Sequence, residues 1–154
     1  MDALSRLVRA VAALAFLLVA CSPHAGEDEV RIVDAWTRAT PPGASVGAGY
    51  MTIANGTVVP VRLLGAESEV AEKVEFHAMS MDGGVMRMRP LADGLTVPAG
   101  GKVELRPSGM HLMLIGLKRP LVEGETVTVA LLFDGGVRLE AKLTVEALGG
   151  KHGP

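Results

Sequence analysis

Short runs of apolar residues, separated by turn residues, make up most of the chain after residue 29. Every second residue is apolar across 126–130 and 137–145, which is the period of a half-buried β-strand. No stretch shows a convincing helical period. The pattern therefore predicts nine strands, at about 30–37, 46–54, 58–65, 73–80, 85–90, 102–106, 111–117, 126–133 and 137–146.

Glycine, proline, asparagine and aspartate fill the gaps between these runs, as expected for turns. Examples are Asn55-Gly56, Asp82-Gly83-Gly84 and Asp134-Gly135-Gly136. Many short strands at near-regular spacing are typical of an antiparallel sandwich. We therefore expect one all-β domain over residues 30–148, an antiparallel Greek-key β-sandwich, followed by a short disordered tail at 149–154.

The first 21 residues have the features of an export signal. Arg6 and Arg9 precede the apolar run 10–20, which is shorter than the roughly 20 residues needed to span a bilayer. Residues 18–21, Leu-Val-Ala-Cys, resemble a bacterial lipobox, so we expect lipidation at Cys21. The alternative is ordinary signal cleavage beside a cysteine. Either way an exported protein is predicted, and the lipobox favours a periplasmic, membrane-anchored lipoprotein.

Residues 22–29, SPHAGEDE, are small, polar and acidic, and are expected to form a flexible tether. Cys21 is the single cysteine, so the sequence excludes a disulfide framework, a cysteine nucleophile and a blue-copper centre, which needs a cysteine ligand. The formal net charge is −2 and aromatic residues make up 3% of the chain. Without a basic stripe or many aromatic rings, nucleic-acid binding is not expected.

Histidine and methionine cluster in the middle of the chain. His77, Met88, His111 and Met113 fall within one window of 37 residues. A turn centred near Gly83 would place position 77 opposite about 89, so His77 and Met88 share a face only with a one-residue bulge or offset. His111 and Met113 are two residues apart in an apolar run, so they point to one face of a strand.

The ligand types indicate which metal would bind. Thioether sulfur is soft and imidazole is borderline, a mixture that suits copper(I) better than magnesium, calcium or manganese. Structural zinc usually recruits cysteine thiolates, which this region lacks. We predict a copper(I) site made by His77, Met88, His111 and Met113. The alternative is a metal-free exported interaction domain in which these side chains only pack, because methionine commonly fills cores.

Other residues near the cluster have open roles. Glu75 shares a strand face with His77, so it either orients and charge-compensates that residue or is a solvated surface glutamate. Additional sulfurs are interpreted first as packing or rim residues and second as transfer-path ligands: Met79, Met81, Met86 and Met110. His24 in the tether and His152 in the tail have no assigned role. No nucleophile-elbow pattern or buried carboxylate pair is evident, and we expect no enzymatic activity.

The segment 76–127 closely resembles the bacterial periplasmic PCu(A)C copper chaperones, and the likeness extends over roughly residues 30–147. The family pattern is His, ten residues, Met, about twenty-one residues, His, one residue, Met. It falls on His77, Met88, His111 and Met113, with a second gap of twenty-two residues in this chain. The motifs GVMRMRP and HLMLIGLK strengthen the resemblance.

The resemblance implies a cupredoxin-like β-sandwich that binds Cu(I) and delivers it. The family's recipient is the copper centre of cytochrome c oxidase subunit II, often with help from Sco-type proteins. We accordingly expect a monomeric copper chaperone, attached to a membrane through Cys21 and active in cytochrome c oxidase assembly. The alternative within the same chemistry is a periplasmic copper-sequestering or resistance protein that has no dedicated recipient.

Overall fold

The computed structural model describes residues 28–150 and His152 of the chain. The predicted signal segment, Cys21, His24 and residues 22–27 of the tether lie outside these described residues. Within the described part, no helix is long and apolar enough to cross a membrane.

Ten strands and one 3₁₀ turn at Asp134–Gly136 make up the secondary structure of the described residues. The strands are β1 (Val30–Arg38), β2 (Val46–Asn55), β3 (Val61–Glu67), β4 (Ala71–Asp82), β5 (Val85–Pro90), β6 (Leu95–Val97), β7 (Lys102–Leu105), β8 (His111–Leu117), β9 (Thr126–Phe133) and β10 (Arg138–Glu146). All nine predicted strands are present. The additional strand, β6, has three residues, too few to show a period, and its pairing with β3 defines it.

Seven strands close into a barrel in the order β4-β8-β2-β1-β10-β9-β3, and β3 pairs back onto β4 at Ala66 and Val74. The remaining strands attach at the sides, with β5 on β4, β6 on β3 and β7 on β2. The all-β prediction is confirmed. The strand pairing does not by itself establish a sandwich, a Greek key or a cupredoxin-like fold, so these three descriptions stay predictions.

One strand pair differs from the predicted antiparallel arrangement. β1 and β10 run parallel, with Trp36 opposite Thr144 and Arg38 opposite Glu146. A parallel pair requires a long crossover connection, and here nearly the whole domain lies between the two strands. Alternation within each strand gives no information about which distant strand it meets, so the expectation of a wholly antiparallel sheet was wrong for this pair.

The barrel interior determines which way the candidate ligands face. Phe76 on β4 and Leu112 on β8 lie opposite each other and are almost completely buried in the core. In β2, a Cβ added at Gly49 would lie 2.8 Å from Leu143 Cδ2, so the glycine lets core side chains approach the backbone closely. Since successive side chains of a strand alternate, His77 and His111 face the outside of the barrel.

Asn55 at the end of β2 links three segments of the barrel end. The sequence predicted only a turn at Asn55-Gly56. The side chain is 1% exposed, and its Nδ2 donates to the carbonyl oxygens of Val59 at 2.8 Å and Val97 at 3.2 Å. Its Oδ1 accepts from the backbone N–H of Thr57 at 3.0 Å. The amide therefore satisfies backbone groups that would otherwise be buried without partners.

Replacing Asn55 with alanine is expected to lower the free energy of unfolding by about 1–3 kcal/mol, because buried carbonyl groups lose their donor. Equilibrium urea unfolding followed by Trp36 fluorescence measures the change. Asn55→Asp is the matched variant, since it keeps the acceptor for Thr57 but lacks the amide donor, and it should be destabilised as well. Unfolding midpoints equal to wild type in both variants would contradict this role.

Candidate metal centre

The β4–β5 hairpin places His77 and Met88 on one face. Asp82 pairs with Val85 across the two-residue loop Gly83-Gly84, whose φ angles are 58° and 82°. The register continues to Met79 opposite Met88 and His77 opposite Pro90. The predicted register, with 77 opposite about 89, was wrong by one residue because Asp82 ends the strand and does not belong to the loop. No bulge is needed for His77 and Met88 to share a face.

β8 lies on the other side of β4 and carries the second pair of candidate ligands. His111 is directly opposite His77, and Met113 is opposite Glu75. The two imidazole rings have centroids 6.0 Å apart and planes tilted by 43°. The structure thus brings the histidines together, and the methionines share their face. Along the strand direction, Met88 and Met113 lie on opposite sides of the histidine pair.

Hydrogen bonds assign the protonation of each ring. His77 Nε2 is 2.8 Å from Glu75 Oε2, and His111 Nδ1 is 3.0 Å from the carbonyl oxygen of Gly109. A carboxylate and a carbonyl can only accept, so both of these ring nitrogens carry the hydrogen. The lone pairs of the neutral imidazoles therefore lie on His77 Nδ1 and His111 Nε2, the atoms through which a metal would bind.

His77 Nδ1 is buried and has no hydrogen-bond partner in the described structure. A buried acceptor without a partner costs free energy, so such an atom in a native fold calls for an explanation. The neighbouring ring is also buried, since His111 is 6% exposed. A metal–imidazole bond of about 2 Å places each ring centroid about 3 Å from the ion, so the centroids of two rings that share an ion lie about 5 Å apart at a tetrahedral angle and about 6 Å apart at a linear one. The observed separation of 6.0 Å lies at the wide end of this range.

Glu75 supplies a negative charge beside the two rings. One carboxylate oxygen accepts from His77, and the other is paired with the Lys73 ammonium group. The hydrogen bonds from Lys73 and His77 lower the pKa of the Glu75 carboxyl group, so this side chain is ionised at neutral pH. The sequence left two roles open for Glu75, orientation of His77 or simple solvation at the surface. The structure contains the hydrogen bond to His77 that the orienting role requires.

The described residues contain no group of three or more histidine, cysteine, aspartate or glutamate side chains able to hold a metal ion. The face of the sheet that carries the histidine pair also carries the thioethers of Met88 and Met113. Nitrogen and thioether donors together favour a soft, low-charge ion.

The remaining candidate side chains have different surroundings. Met79 faces Met88 across the hairpin, and Met81 faces Met86. Met110 is partly buried and packs against the core. In the predicted tail, the His152 ring stacks on Trp36 with centroids 4.4 Å apart, and its Nδ1 is 2.9 Å from Glu146 Oε1.

Sequence reasoning missed an aromatic layer beside the histidines. Tyr50 and Trp36 are cross-strand partners with ring centroids 4.4 Å apart, and both are buried on the outer side of the sheet. The pairing of β2 with β8 ends at Gly49 and Leu112, so Tyr50 and His111 are the next positions along. Burial raises the pKa of the Tyr50 phenol, partly opposed by the charge of Arg38. Trp36 is far in sequence from its ring partners Tyr50 and His152. No local sequence pattern therefore indicated that these rings would meet.

Residues 30–145 match the model of a protein family described as putative lipoprotein LpqE-like. The chain belongs to this LpqE-like family. A relative, the putative lipoprotein Lxx21020 of Leifsonia xyli subsp. xyli (strain CTCB07), is 31% identical over 160 residues, which cover 96% of this chain and 95% of that protein.

Solved structures similar to this LpqE-like chain include PCuAC domains. The copper-bound PCuAC domain from PmoF2 aligns with a TM-score of 0.64 at 24% identity, over 77% of this chain and 93% of that one, which establishes the shared fold. The solution structure of Cu(I)-DR1885 from Deinococcus radiodurans aligns with a TM-score of 0.60 at 36% identity, over 75% and 76% of the two chains. The predicted resemblance to the PCu(A)C family is confirmed.

Proposed function

We propose that this LpqE-like protein is an extracytoplasmic copper(I) chaperone that binds one ion through His77, Met88, His111 and Met113. The observation that carries the proposal is the facing pair of imidazoles, each with one unprotonated nitrogen, together with the buried Nδ1 of His77, which has no hydrogen-bond partner among the described residues. The similarity to DR1885, which was solved with Cu(I), supports the choice of metal.

The chemistry of the donor set favours Cu(I) over the common divalent ions. All four proposed ligands are uncharged, two with imidazole nitrogen and two with thioether sulfur, a combination that suits a soft monovalent ion. Four such ligands leave the bound ion with one positive charge. The Glu75 carboxylate, which is hydrogen-bonded to His77 at 2.8 Å, would offset that charge without entering the coordination sphere.

The exposed fraction differs among the four proposed ligands, and this difference suggests from which side of the site the ion would leave. His111 is 6% exposed, whereas Met88 on the edge strand β5 is 48% exposed. A recipient thiolate can reach the ion on the Met88 side without unfolding the barrel. Displacement of the Met88 thioether by the incoming thiolate, before either histidine dissociates, is the exchange step that this geometry permits.

The cellular setting follows from the family and the sequence. The LpqE-like family and the relative Lxx21020 are described as putative lipoproteins, which supports export and anchoring, and we assign the anchor to Cys21 and the location to the periplasm. We further propose the copper centre of cytochrome c oxidase subunit II as the recipient, directly or through a Sco-type protein. The protein would act as a monomeric carrier and not as an enzyme, with all four coordination positions occupied by its own side chains.

X-ray absorption at the copper edge tests the proposed coordination. The Cu(I)-loaded protein should show two nitrogen neighbours at about 2.0 Å and two sulfur neighbours at about 2.3 Å, typical metal–ligand distances for imidazole and sulfur. His77→Ala should remove one nitrogen neighbour, and Met110→Leu should leave the spectrum unchanged. A wild-type spectrum with sulfur neighbours only would contradict the proposed site.

A further inference from the structure

The β4–β5 hairpin has two chemically distinct faces. One face carries small, polar and charged residues together with one exposed valine: Ala78, Ser80, Asp82, Val85, Arg87 and Arg89. The other continues outward from the histidine pair as a double row of thioethers: Met79 opposite Met88, and Met81 opposite Met86. Arg87 and Arg89 both lie 3.3 Å from Asp82, so these charges pair with each other on the first face and away from the sulfur face.

The methionine pairs occupy the closely spaced positions of the ladder. The backbone N–H of Leu91 donates to the carbonyl of Phe76 at 2.8 Å, which marks the positions 76 and 91 as a hydrogen-bonded pair. Hydrogen-bonded and non-hydrogen-bonded pairs alternate, so the two methionine pairs are of the second kind. Their Cα atoms are then about 4.5 Å apart and their side chains approach closely. Two thioethers at that spacing can reach one ion with metal–sulfur bonds of about 2.3 Å.

Packing does not account for these methionines. Met81 is 66% exposed, Met86 is 55% exposed and Met88 is 48% exposed. A side chain that stays half in water gains little from burial, and exposed apolar residues on an edge strand favour unwanted association. Three half-exposed thioethers that share one face, beside two imidazoles, are explained more directly by a soft-metal ligand role.

We propose that Met79, Met81 and Met86, with Met88 shared, form a second copper(I) site made only of thioethers. Being exposed and lacking imidazole, it would bind more weakly than the histidine pair and would select monovalent soft ions over Zn²⁺ or Cu²⁺. The existence of this site does not depend on the His77/His111 centre. Its role, to load and unload that centre through the common ligand Met88, rests on the proposed function.

Titration with Ag⁺, a soft monovalent probe that does not change oxidation state, tests the second site. The probe is added to protein labelled with ¹³C at the methionine methyl groups, and methyl shifts are followed by NMR. The first equivalent should shift Met88 and Met113, and the second should shift Met79, Met81 and Met86, with saturation at two ions per chain. Zn²⁺ should leave the hairpin methyl groups unmoved.

Variants separate the two sites. Met81→Leu combined with Met86→Leu preserves side-chain volume and should reduce Ag⁺ stoichiometry from two to one while the Met113 shift persists. His111→Ala should abolish the Met113 shift but keep those of Met81 and Met86. Met110→Leu is the control and should retain two ions. Saturation of wild type with the Met81 and Met86 methyl groups unshifted, or two ions on the double variant, would overturn the second site. A silent Met113 would count instead against the proposed chaperone centre.

Discussion

Replacing His111 with alanine is expected to lower the affinity for Cu(I) by more than about 100-fold. Even loss of a group that merely supports a metal ligand costs about 10–100-fold, and His111 would be a ligand itself. His111 is 6% exposed and its ring is held by the Gly109 carbonyl, and apart from His77 no other histidine of the described residues lies beside it to take its place. Competition with a coloured Cu(I) chelator at fixed pH measures the affinity.

His152→Ala is the matched control for this experiment. His152 is also ordered by an acceptor, since its Nδ1 lies 2.9 Å from Glu146 Oε1, but it stacks on Trp36 and is not part of the proposed ligand set. Its removal should leave the affinity unchanged. Urea unfolding of both variants checks that the barrel is intact. A folded His111→Ala protein that competes for Cu(I) as well as wild type would refute the assignment of this ligand.

The strands were predictable because their signal is local. In β9 and β10 the apolar residues alternate so regularly that Val127, Val129 and Leu143 could be placed on the core face, and each is 0–1% exposed. The hairpin register was not settled in the same way, since the assignment of one residue, Asp82, to strand or loop shifts every cross-strand partner. The parallel pairing of β1 with β10 depends on contacts between opposite ends of the domain, about which neither strand carries information.

For the candidate site too, local features were predictable from the sequence and features that depend on the folded backbone were not. The i, i+2 spacing placed His111 and Met113 on one strand face, and the predicted hairpin brought His77 near Met88. The sequence did not give the ring tautomers, which depend on the Glu75 carboxylate and the Gly109 carbonyl. These acceptors decide which nitrogen of each ring is left unprotonated. Each acceptor lies two residues from the histidine that it orients, so the acceptor residues were visible in the sequence. Predicting the hydrogen bonds themselves required the backbone geometry.

The difference in exposure between the buried His111 and the exposed Met88 gives the proposed site an inner and an outer side. The inner side would hold the ion on neutral rings positioned by hydrogen bonds, which would keep the geometry fixed as the ion leaves. The outer side consists of unbranched, flexible thioethers, of which Met88 is 48% exposed. This arrangement favours release by ligand exchange over release by unfolding, so a suitable incoming ligand should remove copper quickly.

The Cu(I)-loaded protein is therefore expected to transfer most of its copper to a reduced dithiol recipient, such as a soluble domain of cytochrome c oxidase subunit II or a Sco-type protein. Two thiolates bring two negative charges to the monovalent ion, whereas the four proposed ligands here carry no charge, so exchange should run downhill. A preference of about 2.8 kcal/mol corresponds to an exchange constant of about 100. At equal concentrations that constant moves about nine-tenths of the copper.

Chromatographic separation of the mixture and copper analysis of each fraction measure this transfer. A recipient with alkylated cysteines is the control and should receive no copper, because it offers no thiolate. Met88→Leu should still deliver copper but should hold it less tightly before mixing, since the exposed thioether is the first ligand to be displaced. Retention of copper by the wild-type protein in the presence of the reduced recipient would refute delivery and would favour a sequestering protein with the same ligands.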